Sequence, residues 1–455
     1  MATKKTKMIM KRLNLLLLFL LLSVSMASAQ SVEAVKKTLK LYPDLAYATY
    51  ATYPAIPLQP IVEAPKGYEP FYISTITRHG SRYQNTPNKN FYIEKINMFK
   101  KLDEAGLLTD MGKQIYKYMC DAEKAQEKFI AELSPLGARQ LRAMGERAYA
   151  RFTPIFENGG RMEGISSNYN RCRQSLESFV EGITSNAPKM ECSIVCDASI
   201  QPLLRPYDKL NPAYADERDD YMEFSTRGAW LKDLRRWAKD HPDMPVLKYV
   251  FTDVEAALAL VKKLPFDMAH SIFNGLLFMK NFEVGDPTLH AKLFSEEEIY
   301  NIYVYKSFHW MCTRSCENID IMKVRHKYIR PLLMHFIDNA DAVLSGKSDA
   351  KAHLRCTHDT NIMPLLSLFG FKDAVAYYKE GDVEQSAVSA MTSKTIPMAA
   401  NLQLVFYRNA KGNVLVRVML NEQDEVLPIK TKTPMFYRWK DLRRYLISRA
   451  DRYEK

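Results

Sequence analysis

The placement of strand-patterned segments constrains this chain most. Short β-branched, aromatic or alternating runs occur at 71–77, 163–167, 193–199, 352–356, 402–407 and 414–420. From Pro206 to about Lys347 no clear strand appears, and a helical pattern is broken only near Pro242, Pro265 and Pro287. Strand-bearing segments at both ends therefore enclose helical material. The economical architecture is an α/β fold, a central sheet flanked by helices, with an inserted, mostly helical cap domain. The expected division is a discontinuous α/β domain over 30–90, 134–205 and 348–455, and a cap over 91–133 and 206–347. The cleft between them is the expected ligand site. Helices are expected over Val32–Leu41, Phe91–Ala105, Gly112–Leu133, Ala138–Phe152, Asn168–Thr184 and Ile362–Phe369, and a hairpin turn over Asn409–Asn413. No internal repeat or low-complexity tract is present.

The first strand runs directly into Arg78-His79-Gly80-Ser81-Arg82-Tyr83. Open α/β sheets place ligand sites just past the carboxyl ends of their strands. The planar guanidinium fork suits a tetrahedral oxyanion and stays charged at any working pH. An imidazole between two arginines has its protonated form disfavoured, and neutral imidazole is a nucleophile. Gly80 leaves room for the backbone to approach an anion. The expected chemistry is attack by His79 on phosphorus held by Arg78 and Arg82. Against this stands the plain alternative that charges after a strand form a solvated loop, because three-residue motifs also arise by chance.

Three further elements fit. Arg171, at the start of the helix after the second strand, would add a third fork, although most helical arginines are simply exposed. His358 and Asp359 follow another strand. Asp359 with Thr360 suits a helix cap, and Asp359 also suits a general acid, with His358 as a second donor to the phosphate. Arg78, His79, Arg82, Arg171, His358 and Asp359 all fall at strand-to-helix junctions, which converge at one sheet edge. Lys89, Arg173, Arg205 and Arg355 lie near these segments and would be surface charges or further anion contacts.

Charge and cysteine usage narrow the class. The 455 residues are 47% hydrophobic and 25% charged, which excludes a disordered chain. The formal charge is +12, and five of those positives lie in the first 29 residues, which contain no acids, so the remainder carries +7. That excess favours anionic ligands, while no lysine-rich tract with interleaved aromatics points to nucleic acid. Residues 1–29 read as a secretory signal: a basic start, an apolar Leu13–Leu22, and Ala27-Ser28-Ala29 before Gln30. An N-terminal anchor is the alternative. The mature protein is expected to be soluble, without stable membrane insertion, and periplasmic or secreted. Seven cysteines leave at least one thiol unpaired. Cys192 and Cys196 are too far apart in an extended segment to bridge, and Cys312 and Cys316 stand one helical turn apart. Paired metal-ligand spacings are absent.

The sequence resembles the histidine acid phosphatases, branch 2 of the histidine phosphatase superfamily, from about Phe71 to Leu420. The likeness rests on Arg78-His79-Gly80-Ser81-Arg82 and on His358-Asp359-Thr360. Leu133-Ser134-Pro135-Leu136-Gly137-Ala138-Arg139-Gln140 is similar to a helix start of that family. Ser166 to Cys172 is similar to the segment carrying its third phosphate arginine, and Arg171-Cys172 is most like the multiple inositol polyphosphate phosphatases. Two departures stand out. Gln84-Asn85 replaces a frequent proline and threonine, and His358-Asp359-Thr360 stands where the inositol polyphosphate phosphatases commonly have histidine-alanine-glutamate. The resemblance implies a phosphoglycerate-mutase-like sheet and two-step phosphomonoester hydrolysis. His79 would form a phosphohistidine, Arg78, Arg82, Arg171 and His358 would bind phosphate, and Asp359 would be the acid. Neither metal nor cofactor is implied. Inositol polyphosphates such as phytate are the expected substrates. The alternatives are a broad acid phosphatase or sugar-phosphate phosphatase, a mutase of the wider superfamily, and a phosphate-ester binding protein without turnover. Oligomeric state is not legible.

Overall fold

The computed structural model describes residues 31–84, 91–207, 211, 223–224, 227–314, 316, 320–371, 374–375, 377–389 and 392–453. The expected signal segment, Asn85 and Lys89 lie outside the described residues.

One mixed sheet organises the chain. Its strands are β1 (Tyr68–Arg78), β2 (Gly160–Ser166), β3 (Met190–Val195), β4 (Ala352–Thr357), β5 (Asn401–Asn409), β6 (Val414–Leu420), β7 (Gln423–Asp424) and β8 (Phe436–Arg438). The order is β3-β2-β4-β1-β5-β6-β7, with β8 also on β6. β3, β2, β4 and β1 pair in parallel, whereas β5 and β6 add on antiparallel. Each of the six expected segments overlaps a strand, but the third runs Met190–Val195 and not Ser193–Ser199: it starts three residues earlier and stops at Val195, and Ala198–Ile200 is a 3-10 turn capped by Asp197.

The main helices are α1 (Val32–Leu41), α2 (Phe91–Glu104), α3 (Asp110–Gln126), α4 (Pro135–Arg151), α5 (Asn170–Thr184), α6 (Trp230–Asp240), α7 (Pro265–Leu276), α8 (Glu296–Arg314), α9 (Asp320–Leu344), α10 (Asp359–Phe369) and α11 (Trp439–Ala450). Local chemistry sets several of these ends. Ser134 caps α4 by accepting from the Gly137 N–H, with Pro135 at the first helical position. Gly370, at φ +77°, closes α10 in the left-handed conformation that glycine adopts without strain.

Alternation along the central strands divides the core. Tyr72 and Ile76 of β1, with Leu402, Leu404 and Phe406 of β5, pack with Leu332, Phe336, Leu365 and Leu442 from α9, α10 and α11. Ile73, Val405 and Tyr407 face the other way, onto Leu141, Met144, Leu176 and Phe179 from α4 and α5. Burial on both faces explains why β1 shows no exposed polar alternation over Tyr72–Arg78, where even Ser74, Thr75 and Thr77 are buried. A third cluster gathers Phe99, Ile115, Trp230, Phe266, Phe273, Tyr303 and Phe308 from the helical stretches, and it also takes in Val35, Leu45 and Val388. The seven cysteines are all free thiols, the Cys312–Cys316 pair included. Cys316 lies past the end of α8, where its sulfur accepts from the Tyr378 N–H at 3.0 Å.

Candidate active site

Strand register brings the expected residues to one edge. Arg78 pairs with Thr357 across β1 and β4, and Ser166 pairs with Cys356 across β2 and β4. The pairing continues beyond the strands: the His79 N–H donates to Thr357 O at 3.1 Å and the Ser167 N–H to Cys356 O at 3.0 Å. His79, Ser167 and His358 therefore leave three neighbouring strand ends side by side. The rings of His79 and His358 are 5.5 Å apart, edge to face.

The loop holding His79 is fixed from beneath. The Gly80 N–H donates to Ser175 Oγ at 3.0 Å, and the Ser81 N–H donates to Gln140 Oε1 at 2.9 Å. Gly80 and Gly137 touch backbone to backbone: a Cβ on Gly80 would stand 2.5 Å from Gly137 O and 2.7 Å from its Cα. The motif glycine thus serves contact with the start of α4, a different neighbour from the anion the sequence suggested. His79 is 2% exposed. Its Nδ1 lies 2.9 Å from Gly80 O; a carbonyl only accepts, so Nδ1 carries the proton and the lone pair sits on Nε2. Burial first, then Arg171, Arg78, Arg82 and His358, push the imidazole well below its ordinary pKa and keep it neutral.

The guanidinium groups are anchored through their outer nitrogens. Arg78 donates to Thr49 O, to Ile396 O at 3.2 Å, and to Asp359 Oδ2 at 3.0 Å. Arg82 donates to Tyr83 O at 2.8 Å and stands over Tyr50. Arg171 donates to Ala131 O at 3.3 Å and stands 4.4 Å over Tyr169. Burial and neighbouring arginines bring Arg82 down to about 10, still protonated at neutral pH. In all three side chains the Nε–H is buried without an acceptor among the described residues. Arg82 and Arg171 line one cavity with His79, and two guanidinium groups beside a neutral imidazole suit an oxyanion there.

His358 occupies the N-cap position of α10 with no capping bond of its own. Its Nε2 is 3.0 Å from Ser167 Oγ, and the Cys172 sulfur is 3.7 Å away. Asp359 is the first residue of α10 and accepts the Thr360 N–H at 2.8 Å, so its two oxygens serve the helix end and Arg78. Burial raises this carboxyl, but Arg78, Arg314, His358 and Arg82 together outweigh burial and hold it below the usual carboxylate range.

These groups line a cavity of about 280 Å³ that also takes in Tyr169, Arg205, Tyr207, Arg314, Arg325 and Asn361. His79, Arg82, Arg171, His358 and Asp359 all reach it, and Arg78 sits directly behind Asp359. Of the other sequence candidates, Arg205 belongs to the cavity. Arg173 pairs with Glu177 on an exposed helix face, and Arg355 is buried in the sheet, donating to Ser74 Oγ, Thr75 O and His335 Nδ1. Sequence reasoning missed Arg314, Arg325, Ser167 and Ser175. Arg314 ends α8 and Arg325 lies within α9, inside a long helical stretch where an arginine gives no sign of which way it faces.

Residues 72–421 match the model of the histidine phosphatase superfamily (branch 2), and the chain belongs to this family. It is 25% identical over 403 residues to multiple inositol polyphosphate phosphatase 1 of Gallus gallus, covering 84% of this chain and 82% of that protein. The fold is similar to Bifidobacterium longum multiple inositol polyphosphate phosphatase in complex with inositol hexasulfate. That match has a TM-score of 0.66 at 19% identity, over 88% of this chain and 96% of the other. It is also similar to the phytase from D. castellii, with a TM-score of 0.64 at 16% identity, over 90% and 85%. The chain is thus a histidine acid phosphatase, a phosphoric monoester hydrolase.

Proposed function

We propose that this branch 2 histidine phosphatase is an exported enzyme that hydrolyses inositol polyphosphates such as phytate through a phosphohistidine on His79. The observation that carries the substrate class is the charge of the cavity. Arg82, Arg171, Arg205, Arg314 and Arg325 line it with one carboxylate, Asp359. One phosphoryl group occupies three or four such donors; the remainder suits further phosphates on the same molecule. The inositol polyphosphate phosphatases among its relatives support the same class.

In this reading the neutral His79 Nε2 attacks phosphorus in line with the departing alcohol oxygen. Arg82, Arg171 and His358, which reach the cavity, bind the equatorial oxygens, and Arg78 adds its positive charge from behind Asp359, together offsetting the charge that builds on them. Asp359 donates the proton to the leaving oxygen. Its carboxyl is held low by the arginines, and an incoming phosphoryl dianion offsets those same positive charges, which raises its proton affinity. Water then attacks the phosphohistidine, with the Asp359 carboxylate as base, and releases phosphate and free His79.

A second reading, a broad acid phosphatase, is favoured by His358-Asp359-Thr360 in place of histidine-alanine-glutamate. Phosphate release from phytate, glucose 1-phosphate and an aryl phosphate separates the two. Higher kcat/KM on phytate supports the first reading, and equal or lower kcat/KM overturns it. The apolar Leu13–Leu22 segment supports export to the periplasm or medium, and among the described residues no helix is long and apolar enough to cross a membrane. Processing before Gln30, read by N-terminal sequencing of the secreted product, tests that part.

A further inference from the structure

Tyr169 has no assigned part in the chemistry above, yet three cationic or proton-carrying groups of the cavity meet on its ring. The Arg171 guanidinium stands 4.4 Å from the ring centroid, and that of Arg205 stands 4.5 Å from it. The His358 ring meets it edge to face, at 5.1 Å and 89°. Arg205 Nη2 also donates to Tyr169 Oη at 3.3 Å, and Arg205 Nη1 donates to Asn168 Oδ1 at 2.6 Å.

The local sequence is a poor choice for helix stability alone. Tyr169 occupies the N-cap of α5 and makes no capping bond, where Ser, Thr, Asp or Asn would satisfy a free N–H. Asn168, a good capping residue, stands one position too early and directs its carbonyl oxygen to Arg205. The segment is held instead by Gln201, whose Oε1 accepts the Asn168 N–H at 3.0 Å. Two consecutive side chains are thus committed to an arginine of the cavity. Tyr169 is 38% exposed, so burial of its ring does not account for its presence there.

We propose that Tyr169 is a positioning and specificity residue: it holds Arg171, which faces the reacting phosphoryl group, and Arg205, which faces a second phosphate of the same substrate, in one fixed arrangement. The inference rests on the polyphosphate reading and deepens it. A flexible arginine loses rotamer freedom when it binds an anion. An aromatic ring that already restrains two guanidinium groups removes part of that loss for a substrate that engages both. A monophosphate engages only Arg171 and gains only part of the benefit.

The test is the ratio of kcat/KM for inositol hexakisphosphate to kcat/KM for an aryl phosphate, measured on the full chain. Tyr169→Leu is expected to lower that ratio about two- to fivefold, the size of a cation–π contact at a partly exposed site. Tyr169→Phe keeps the ring and is expected to retain most of the ratio. Arg205→Ala is expected to lower it as Tyr169→Leu does, and the double variant to lower it no further than the larger single change. A ratio unchanged in Tyr169→Leu, with both substrates slowed alike, would show that the ring serves Arg171 alone and overturn the proposal. Multiplicative losses in the double variant would also overturn it. If Tyr169→Leu does not fold, Arg205→Ala decides by itself, since an unchanged ratio there removes the second phosphate contact. Failure of the polyphosphate reading is seen separately, in the wild-type ratio: a wild type that does not favour hexakisphosphate ends both, whereas a high wild-type ratio that survives Tyr169→Leu ends only this proposal.

Discussion

Replacing Gly80 by alanine tests how tightly the nucleophile is placed. A methyl group there would stand 2.5, 2.7 and 2.8 Å from O, Cα and C of Gly137, whereas ordinary contact begins near 3.4 Å. All three opposing atoms are backbone, at a helix start fixed by the Ser134 cap, so no side chain can turn aside. The His79–Ser81 loop and the start of α4 must then separate by about 1 Å, a misplacement that costs roughly 10²-fold in rate when it falls on a reacting group. His79 is the adjacent residue, and its ring is held through Gly80 O. Gly80→Ala is therefore expected to lower kcat on an aryl phosphate by about 10²-fold, with overpacking costing about 1–3 kcal/mol of stability. Steady-state kinetics with a thermal melt reads both. Gly137→Ala, whose Cβ would stand 2.1 Å from Ser81 O, should act in the same direction on the same loop. A folded Gly80→Ala enzyme with kcat within about threefold of wild type would refute the reasoning, because a loop that absorbs 1 Å at no cost does not position His79.

The other predictions concern protons and the pieces around His79. Because burial and the arginines hold His79 of the free enzyme neutral, kcat/KM should show no acid limb from an imidazole near pH 6.5, its ordinary value; a limb centred there and lost in no other variant than one at His79 contradicts a depressed nucleophile. The same shift bears on stability. The unfolded chain binds a proton below about pH 6.5 that folded His79 refuses, so stability falls as pH falls through the window below that value. His79→Asn should flatten that part of a melting-temperature profile. Asp359→Asn should slow an alkyl phosphate by about 10²–10⁴-fold and an aryl phosphate far less, since a good leaving group needs little protonation; equal losses on both would remove Asp359 as the acid. Ser167→Ala removes the hydroxyl beside His358 Nε2 and should lower kcat by several fold, about the worth of one hydrogen bond, with the melt barely moved.

Much of this was legible in the sequence because it depends on short-range rules. A β-branched run followed by Arg78-His79-Gly80, and another followed by His358-Asp359, are strand-to-helix junctions. Parallel pairing of β1, β4 and β2 carries such junctions to one edge whatever lies between them. The family membership and the α/β class rest on the same signals. Features that depend on tertiary approach were not legible. Gly80 was read as space for an anion, but the contact is with Gly137, 57 positions later, and no local pattern announces it. Arg314 and Arg325 lie in a long helical stretch, and their direction toward the cavity is set by how α8 and α9 pack. Arg355 shows the converse: three residues before His358, it lies on the face of the sheet covered by α9, against His335 and Phe336, because the side chains of β4 alternate between faces. Asp359 joins the two cases, since its helix-end bond follows from sequence and its depressed carboxyl follows from Arg78, 281 positions earlier.

The most direct test of the account is to quench the enzyme in alkali during turnover of a labelled phosphate ester and map the label. Acid-labile, alkali-stable phosphate on the peptide containing His79, appearing at the rate of the first turnover and absent in His79→Ala, is the expected result. Label on another residue, or rapid phosphate release with no labelled intermediate at any time, would contradict it.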